Sequence, residues 1–377
     1  MRTTLLLLLA ACAATYRSMP DRTAEMDELA RAAEDLPCER GRAAGATVGG
    51  RAVKLYYRQT RAEGEWLVVL LHGVLSDSRT WEYVTGDLGQ DHALLLLDLP
   101  GCGLSDKPSP GDVGPSGYSP TALARHVCCA VRERLAASDR PPRVALVGHS
   151  LGSMVILRML GDAALREEFA DVLDRVERVV LLSPVDFAVE KTQPMFTRVL
   201  GLSGVKVTIA DVTEILQEST ARALRQGAVE PRSVPRVEAE RMVEVLRDGR
   251  RRRAAQAMIR EAVPFTGDEV PDWPRIRALV RDYARVDRPC LLLHGECDET
   301  FGVAVAYKLQ AQLPDAWLRV LADAKHALPS EAPRRCAAEI RAFLADGGRG
   351  RDRVVDESFG RERLPALVAR GARTPLR

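Results

Sequence analysis

Residues 143–160 read RVALVGHSLGSMVILRML, and this stretch decides the fold. Arg143 to Val147 is a short apolar run, the pattern of a strand buried on both faces. Leu151 to Leu160 carries a helical period. Between them lies Gly148-His149-Ser150-Leu151-Gly152, a G-x-S-x-G sequence. A serine set in a tight strand-to-helix turn needs small neighbours, because larger side chains would collide there. Such a turn exposes Oγ. It also aims the next backbone N–H at the position where an oxyanion would form, and the helix N-terminus favours negative charge at the same place.

Working outward, the same rhythm repeats. Ala52 to Arg58, Glu65 to Leu71, Ala93 to Leu99, Val179 to Leu182, Cys290 to Leu293 and Trp317 to Leu321 read as strands, most of them continuous apolar runs closed by turn residues. Tyr118 to Ala137, Val303 to Leu313 and Pro333 to Leu344 read as helices. Alternating strands and helices predict an α/β architecture, a mostly parallel, doubly wound sheet. In such sheets function gathers at the carboxyl ends of the strands. Those ends are occupied here by His72-Gly73, Asp98, Ser150, Asp186, Asp298 and His326. The predicted core is 51–186 and 284–345. Residues 187–283 lack buried-strand runs and are expected to form a helical cap. Its Arg250 to Arg253 run reads as a solvated face. Met195, Phe196, Met242, Met258, Phe265 and Trp273 are possible lining residues of a substrate pocket under the cap. Residues 346–377 are expected to be a flexible, Arg-rich tail.

The first residues have the layout of an export signal: Met1-Arg2, then a short apolar core, then small residues up to Cys12. Leu9-Ala10-Ala11-Cys12 resembles the lipobox of bacterial lipoproteins. That resemblance implies a signal peptide over 1–11 and lipid on Cys12; the 12–50 segment, polar, Ala-rich and Arg-rich over 18–47, is expected to form a tether or loose helix. It implies an exported, bacterial, membrane-anchored protein facing the periplasm or the cell exterior. Two acyl chains suffice for stable anchoring. The 54 Lys and Arg against 52 Asp and Glu leave a net charge of +2, which gives no global electrostatic case for nucleic acid. The eight cysteines form no CxxC pair with zinc spacing, so most are expected to be small core residues and no metal is expected.

These motifs together resemble the alpha/beta-hydrolase superfamily, in its cap-bearing branch of esterase-, haloperoxidase- and C–C-hydrolase-like proteins. His72-Gly73-Val74 is similar to the family's HGx oxyanion motif. Asp98-Leu99-Pro100-Gly101-Cys102-Gly103-Leu104-Ser105 resembles its D-x-P-G-x-G-x-S turn, and His294-Gly295-Glu296-Cys297-Asp298 resembles the HGxxD segment that carries the family's acid. The order Ser150, Asp298, His326 matches the family's order of nucleophile, acid and histidine.

A serine hydroxyl needs a base within hydrogen-bond reach, and that base needs an orienting carboxylate. The resemblance implies Ser150 as nucleophile, His326 as base and Asp298 as acid, with the backbone N–H groups of Val74 and Leu151 as oxyanion hole. Asp186 is the rival acid. Asp98 is read as a structural residue holding the turn that follows it, and Asp323 as a turn residue. His72, His92, His126, His149 and His294 are assigned surface or packing roles. The activity implied is cleavage of a carboxylic ester or related acyl substrate through an acyl-enzyme, with no cofactor. C–C bond hydrolysis, acyl transfer and a non-catalytic binding role remain alternatives. A serine at the elbow argues against the epoxide hydrolases and haloalkane dehalogenases, which resemble this fold but carry Asp there.

Overall fold

A computed structural model describes residues 23–48, 50–60, 64–137, 142–185, 244–264, 266, 272–298 and 300–357. Cys12, the predicted signal, Asp186 and most of the predicted cap lie outside the described residues. So do Met195, Phe196, Met242 and Phe265.

The strands are β1 (Cys38–Val48), β2 (Arg51–Thr60), β3 (Trp66–Leu71), β4 (Ala93–Leu97), β5 (Arg143–His149), β6 (Val176–Leu182), β7 (Cys290–Gly295), β8 (Ala316–Leu321) and β9 (Val354–Asp356). They form one sheet in the order β1-β2-β4-β3-β5-β6-β7-β8-β9. β1 and β2 run antiparallel to their neighbours, and the pairs from β4 through β9 are parallel. The longer described helices are α1 (Thr23–Glu34), α2 (Glu82–Leu88), α3 (Pro120–Ala136), α4 (Leu151–Gly161), α5 (Gly249–Ala262), α6 (Trp273–Arg281), α7 (Ala304–Gln312) and α8 (Pro333–Asp346). The chain has the alpha/beta-hydrolase fold expected from its sequence.

Alternation along each strand splits the core into two layers. Leu67, Val69, Leu71, Leu146, Val179 and Leu292 face one way, where α3, α4 and residues of α5 and α6 cover them. Val68, Leu70, Ala145, Val147, Val180 and Leu291 face the other way, under Trp81, α2 and α8. Burial on both faces is why these strands read as unbroken apolar runs. The register pairs Leu71 with Gly148, Gly148 with Leu181, and Leu182 with Leu293. Loops carrying the candidate chemistry therefore leave the sheet level with one another, on one rim.

Two expectations are corrected. In the predicted 12–50 tether or loose helix, α1 is a helix but a docked one, with Met26 and Leu29 buried against Tyr83, and Cys38–Val48 is β1, an edge strand paired along β2. Its composition hides it: CERGRAAGATV is poor in β-branched and aromatic residues. Its partners supply the order. A Cβ at Gly41 would lie 2.7 Å from the Tyr57 hydroxyl, so the strand lies tight on that ring. The backbone N–H groups of Ala44 and Ala46 donate to Glu133 and His126 of α3, which covers part of the sheet edge. In the predicted 346–377 tail, Val354–Asp356 extends the sheet beside β8, and Asp356 accepts a 2.6 Å hydrogen bond from the Tyr307 hydroxyl. Residues 358–377 lie outside the described residues.

Within residues 187–283, α5 and α6 are helices, and Met258, named as a possible pocket residue, is instead fully buried in the larger core layer. The seven described cysteines are free thiols. Cys102, Cys128, Cys290 and Cys336 are buried, with burial raising each thiol pKa far above its ordinary value.

Candidate active site

The turn between β5 and α4 imposes an unusual backbone. Ser150 sits at φ 51°, ψ −115°, a region that costs a non-glycine residue about 1–3 kcal/mol. The surroundings hold it there. Ser150 N–H donates to the Leu182 carbonyl at 2.9 Å, and Ser153 Oγ donates to the Gly148 carbonyl at 2.7 Å. A Cβ at Gly148 would lie 2.6 Å from the Gly152 backbone, and one at Gly152 would strike the Leu71 carbonyl. Both glycines of the motif are thus required by close backbone approach.

The serine hydroxyl meets a histidine from the loop after β8, three strands along the sheet from β5. His326 Nε2 lies 3.1 Å from Ser150 Oγ, and His326 Nδ1 lies 2.8 Å from Asp298 Oδ2. With Nδ1–H donating to the carboxylate, the Nε2 lone pair faces the hydroxyl. Asp298 is itself fixed, since Oδ1 accepts from the backbone N–H groups of Thr300 and Phe301, each at 2.8 Å. Burial alone would raise the Asp298 carboxyl. The charge and hydrogen bond of His326, with help from His294 and the Phe301 amide, outweigh it and hold the pKa below the ordinary value. For His326 the balance runs the other way. Burial would lower it, but Asp298 raises it above the ordinary 6.5.

The third loop lies against the same serine. A Cβ at Gly73 would come 3.1 Å from Ser150 Cβ, so the 72–74 segment runs directly beside that serine. His72 fixes its conformation. Its Nε2 accepts from Leu99 N–H at 3.0 Å, leaving Nδ1–H to donate to the Gly73 carbonyl at 2.7 Å. That carbonyl shares a rigid peptide unit with the Val74 N–H, so fixing one aims the other. Neither the Val74 nor the Leu151 N–H has a backbone acceptor outside its own element among the described residues. Asp98 lies behind, structural as expected. It accepts from Ser78 N–H at 2.7 Å and Leu104 N–H at 2.8 Å, tying the Gly-rich turn to the loop after β3.

A family model of the alpha/beta hydrolase family matches residues 68–339, well over half the chain. The chain belongs to the alpha/beta hydrolase family. An uncharacterized protein of Mycobacterium tuberculosis is 33% identical over 131 residues, which is 34% of this chain and 33% of that protein. The match thus takes in about a third of that relative's own length. A pimeloyl-[acyl-carrier protein] methyl ester esterase of Klebsiella pneumoniae is 29% identical over 224 residues, 55% of this chain and 75% of the esterase. Among solved structures, an esterase from a Rhodococcus species superposes with a TM-score of 0.59 at 23% identity, covering 82% of this chain and 99% of that one. This last likeness speaks for the fold.

The chain holds its histidine loop with two residues that the motifs do not announce. Glu331 is buried and accepts from the backbone N–H groups on either side of His326: Lys325 at 2.5 Å and Ala327 at 2.9 Å. Burial pushes its carboxyl up to about 7, against the pull of those two amides and of His326. His149, inside the elbow, donates from Nε2 to the His326 carbonyl at 2.8 Å. Burial lowers it to about 3, so it stays neutral and links the two loops by a neutral hydrogen bond. The packing role assigned to His149 therefore has a specific object. The only sequence trace of Glu331 is an acid set among Leu328, Pro329 and Ala332, where a solvated residue is out of place. Asp323, read as a turn residue, sits in a turn at φ 58°.

Proposed function

We propose that Ser150, His326 and Asp298 act as a catalytic triad and that the protein cleaves carboxylic esters through an acyl-enzyme. One observation carries the reading: His326 bridges the Ser150 hydroxyl and the Asp298 carboxylate at 3.1 and 2.8 Å. The kinship with a protein named as a methyl ester esterase supports the choice of ester over other acyl bonds.

In this route His326 Nε2 takes the hydroxyl proton as Oγ attacks the carbonyl carbon. Asp298 stabilises the imidazolium without itself being protonated. The developing oxyanion is met by the N–H groups of Val74 and Leu151, and losing one such donor typically costs ~10²–10³ in turnover. His326 then protonates the leaving alcohol. Water attacks the acyl-enzyme by the same sequence, releasing the acid and restoring Ser150. No step calls for a cofactor. A panel of p-nitrophenyl esters of increasing chain length tests the reading. Turnover that is lost in Ser150→Ala supports it, and equal turnover by that variant refutes it.

We also infer that Cys12 carries lipid and holds the enzyme on a membrane. No described helix is long and apolar enough to cross one. Fractionation of Cys12→Ala should move the protein from membranes to the soluble fraction. A variant that stays membrane-bound would contradict the anchor.

A further inference from the structure

The first turn of α5 begins a run of four arginines, two of which, Arg250 and Arg253, have no ion-pair partner among the described residues. Arg250, Arg251, Arg252 and Arg253 follow one another there, at the end of a helix whose dipole already disfavours cations. Asp248 is the acid that caps this end, accepting from the backbone N–H groups of Arg250 and Arg251. The turn forms one wall of a cleft of about 230 Å³. Arg51, at the start of β2, and the segment Lys107, Pro108, Ser109, Pro110 and Asp112 form the others. Four cations thus face one carboxylate, that of the exposed Asp112. Arg51, Arg250 and Arg253 are exposed, and among the described residues none has an ion-pair partner.

Two further groups show the crowding. Lys107 donates to the carbonyls of Gly103 and Ser105 at 2.8 and 2.7 Å; Asp248 and Asp98 lie near enough to act on its charge, but neither forms an ion pair with it among the described residues. Burial first, and then the charge of Arg251, lower its pKa. Arg251 sits behind the wall. Its Nε, 3.9 Å from Asp248 Oδ2, is buried without a hydrogen-bond acceptor. A monovalent ligand would leave most of this charge uncompensated. A phosphate monoester carries roughly −1.5 to −2 charge and three strong acceptor oxygens, which suits several guanidinium forks at once.

We propose that this cleft binds a phosphate group, carried either by a soluble phosphate ester or by an anionic lipid headgroup. The proposal does not depend on the chemistry of Ser150. The cleft does share α5 with the 72–75 loop, since Ala255 of that helix buries against Leu75.

The test uses the purified protein at low salt, with glycerol 3-phosphate in one arm and vesicles containing phosphatidic acid, a phosphate monoester, in the other. Acetate and phosphatidylcholine vesicles are the controls. Saturable binding of glycerol 3-phosphate alone identifies a soluble ester. Vesicle binding that glycerol 3-phosphate competes away identifies the headgroup. In either case Arg250→Gln/Arg253→Gln should weaken binding at least tenfold, while Arg275→Gln, on exposed α6 surface, leaves it within twofold. Hydrolysis of a neutral activated ester should be unchanged in the double variant, which also reports that it is folded. Absence of saturable binding in both arms overturns the proposal. So does a double variant that binds like the parent, or an equal loss in Arg275→Gln.

Discussion

The elbow and the histidine loop hold the two halves of one hydrogen bond by opposite means. At the elbow, Ser150 is placed by backbone: a strained φ of 51° and glycines pressed against neighbouring chain leave the hydroxyl little choice. At the histidine loop, His326 is placed by buried carboxylates. Asp298 binds its ring, and Glu331 binds the amides on either side of it. The first device is fixed by sterics and does not respond to pH. The second depends on charge and does. The pH dependence of the proposed activity should therefore arise at the histidine loop.

Variants at the two loops should separate accordingly. Ser150→Ala removes the nucleophile and should cost about 10⁶ in kcat, with no pH at which activity returns. Asp298→Asn should cost about 10⁴, as loss of an orienting carboxylate does. It should also move the acid limb. The proposed route needs neutral His326, whose pKa Asp298 raises above 6.5, so parent activity should fall as pH drops through that raised value. Without the carboxylate charge, burial dominates and the limb shifts to lower pH. A profile of kcat/KM in Asp298→Asn with an unmoved limb would break the contrast.

Glu331→Gln should have the smallest effect, roughly tenfold in kcat with KM unchanged, because it loosens the loop and leaves the ring's own partner intact. Its limb should move in the same direction as that of Asp298→Asn, but less, since Glu331 is the lesser of the two charges that raise His326. Stability gives a second readout with a definite sign. An acid raised to about 7 in the fold is favoured in its protonated form. Its contribution is full below the ordinary carboxyl pKa and is lost as pH rises through about 7. The parent's melting temperature should therefore decline over that interval more than the variant's does.

Legibility in the sequence follows the same physics. β3, β5, β6 and β7 are buried on both faces, so each appears as an apolar run, and the glycine spacing around Ser150 is forced by close backbone approach. Asp298 and His326 could be named because they end or follow such runs. β1 escaped notice because an edge strand of Ala, Gly and Arg owes its shape to Tyr57 and α3 rather than to its own composition. β9 is three residues long and exists only beside β8. Glu331 binds backbone amides, which carry no sequence signature. The cationic cleft joins Arg51, Lys107 and Arg250, positions too distant in the chain for a charge run to reveal.

The central claim is that Ser150 is a nucleophile activated by His326. Labelling with a fluorophosphonate, followed by peptide mass mapping, tests it most directly. The account predicts one adduct, on the peptide carrying Ser150, and labelling slowed by orders of magnitude in a folded His326→Ala variant. An adduct at another residue, or equally fast labelling of Ser150 without the imidazole, would contradict it.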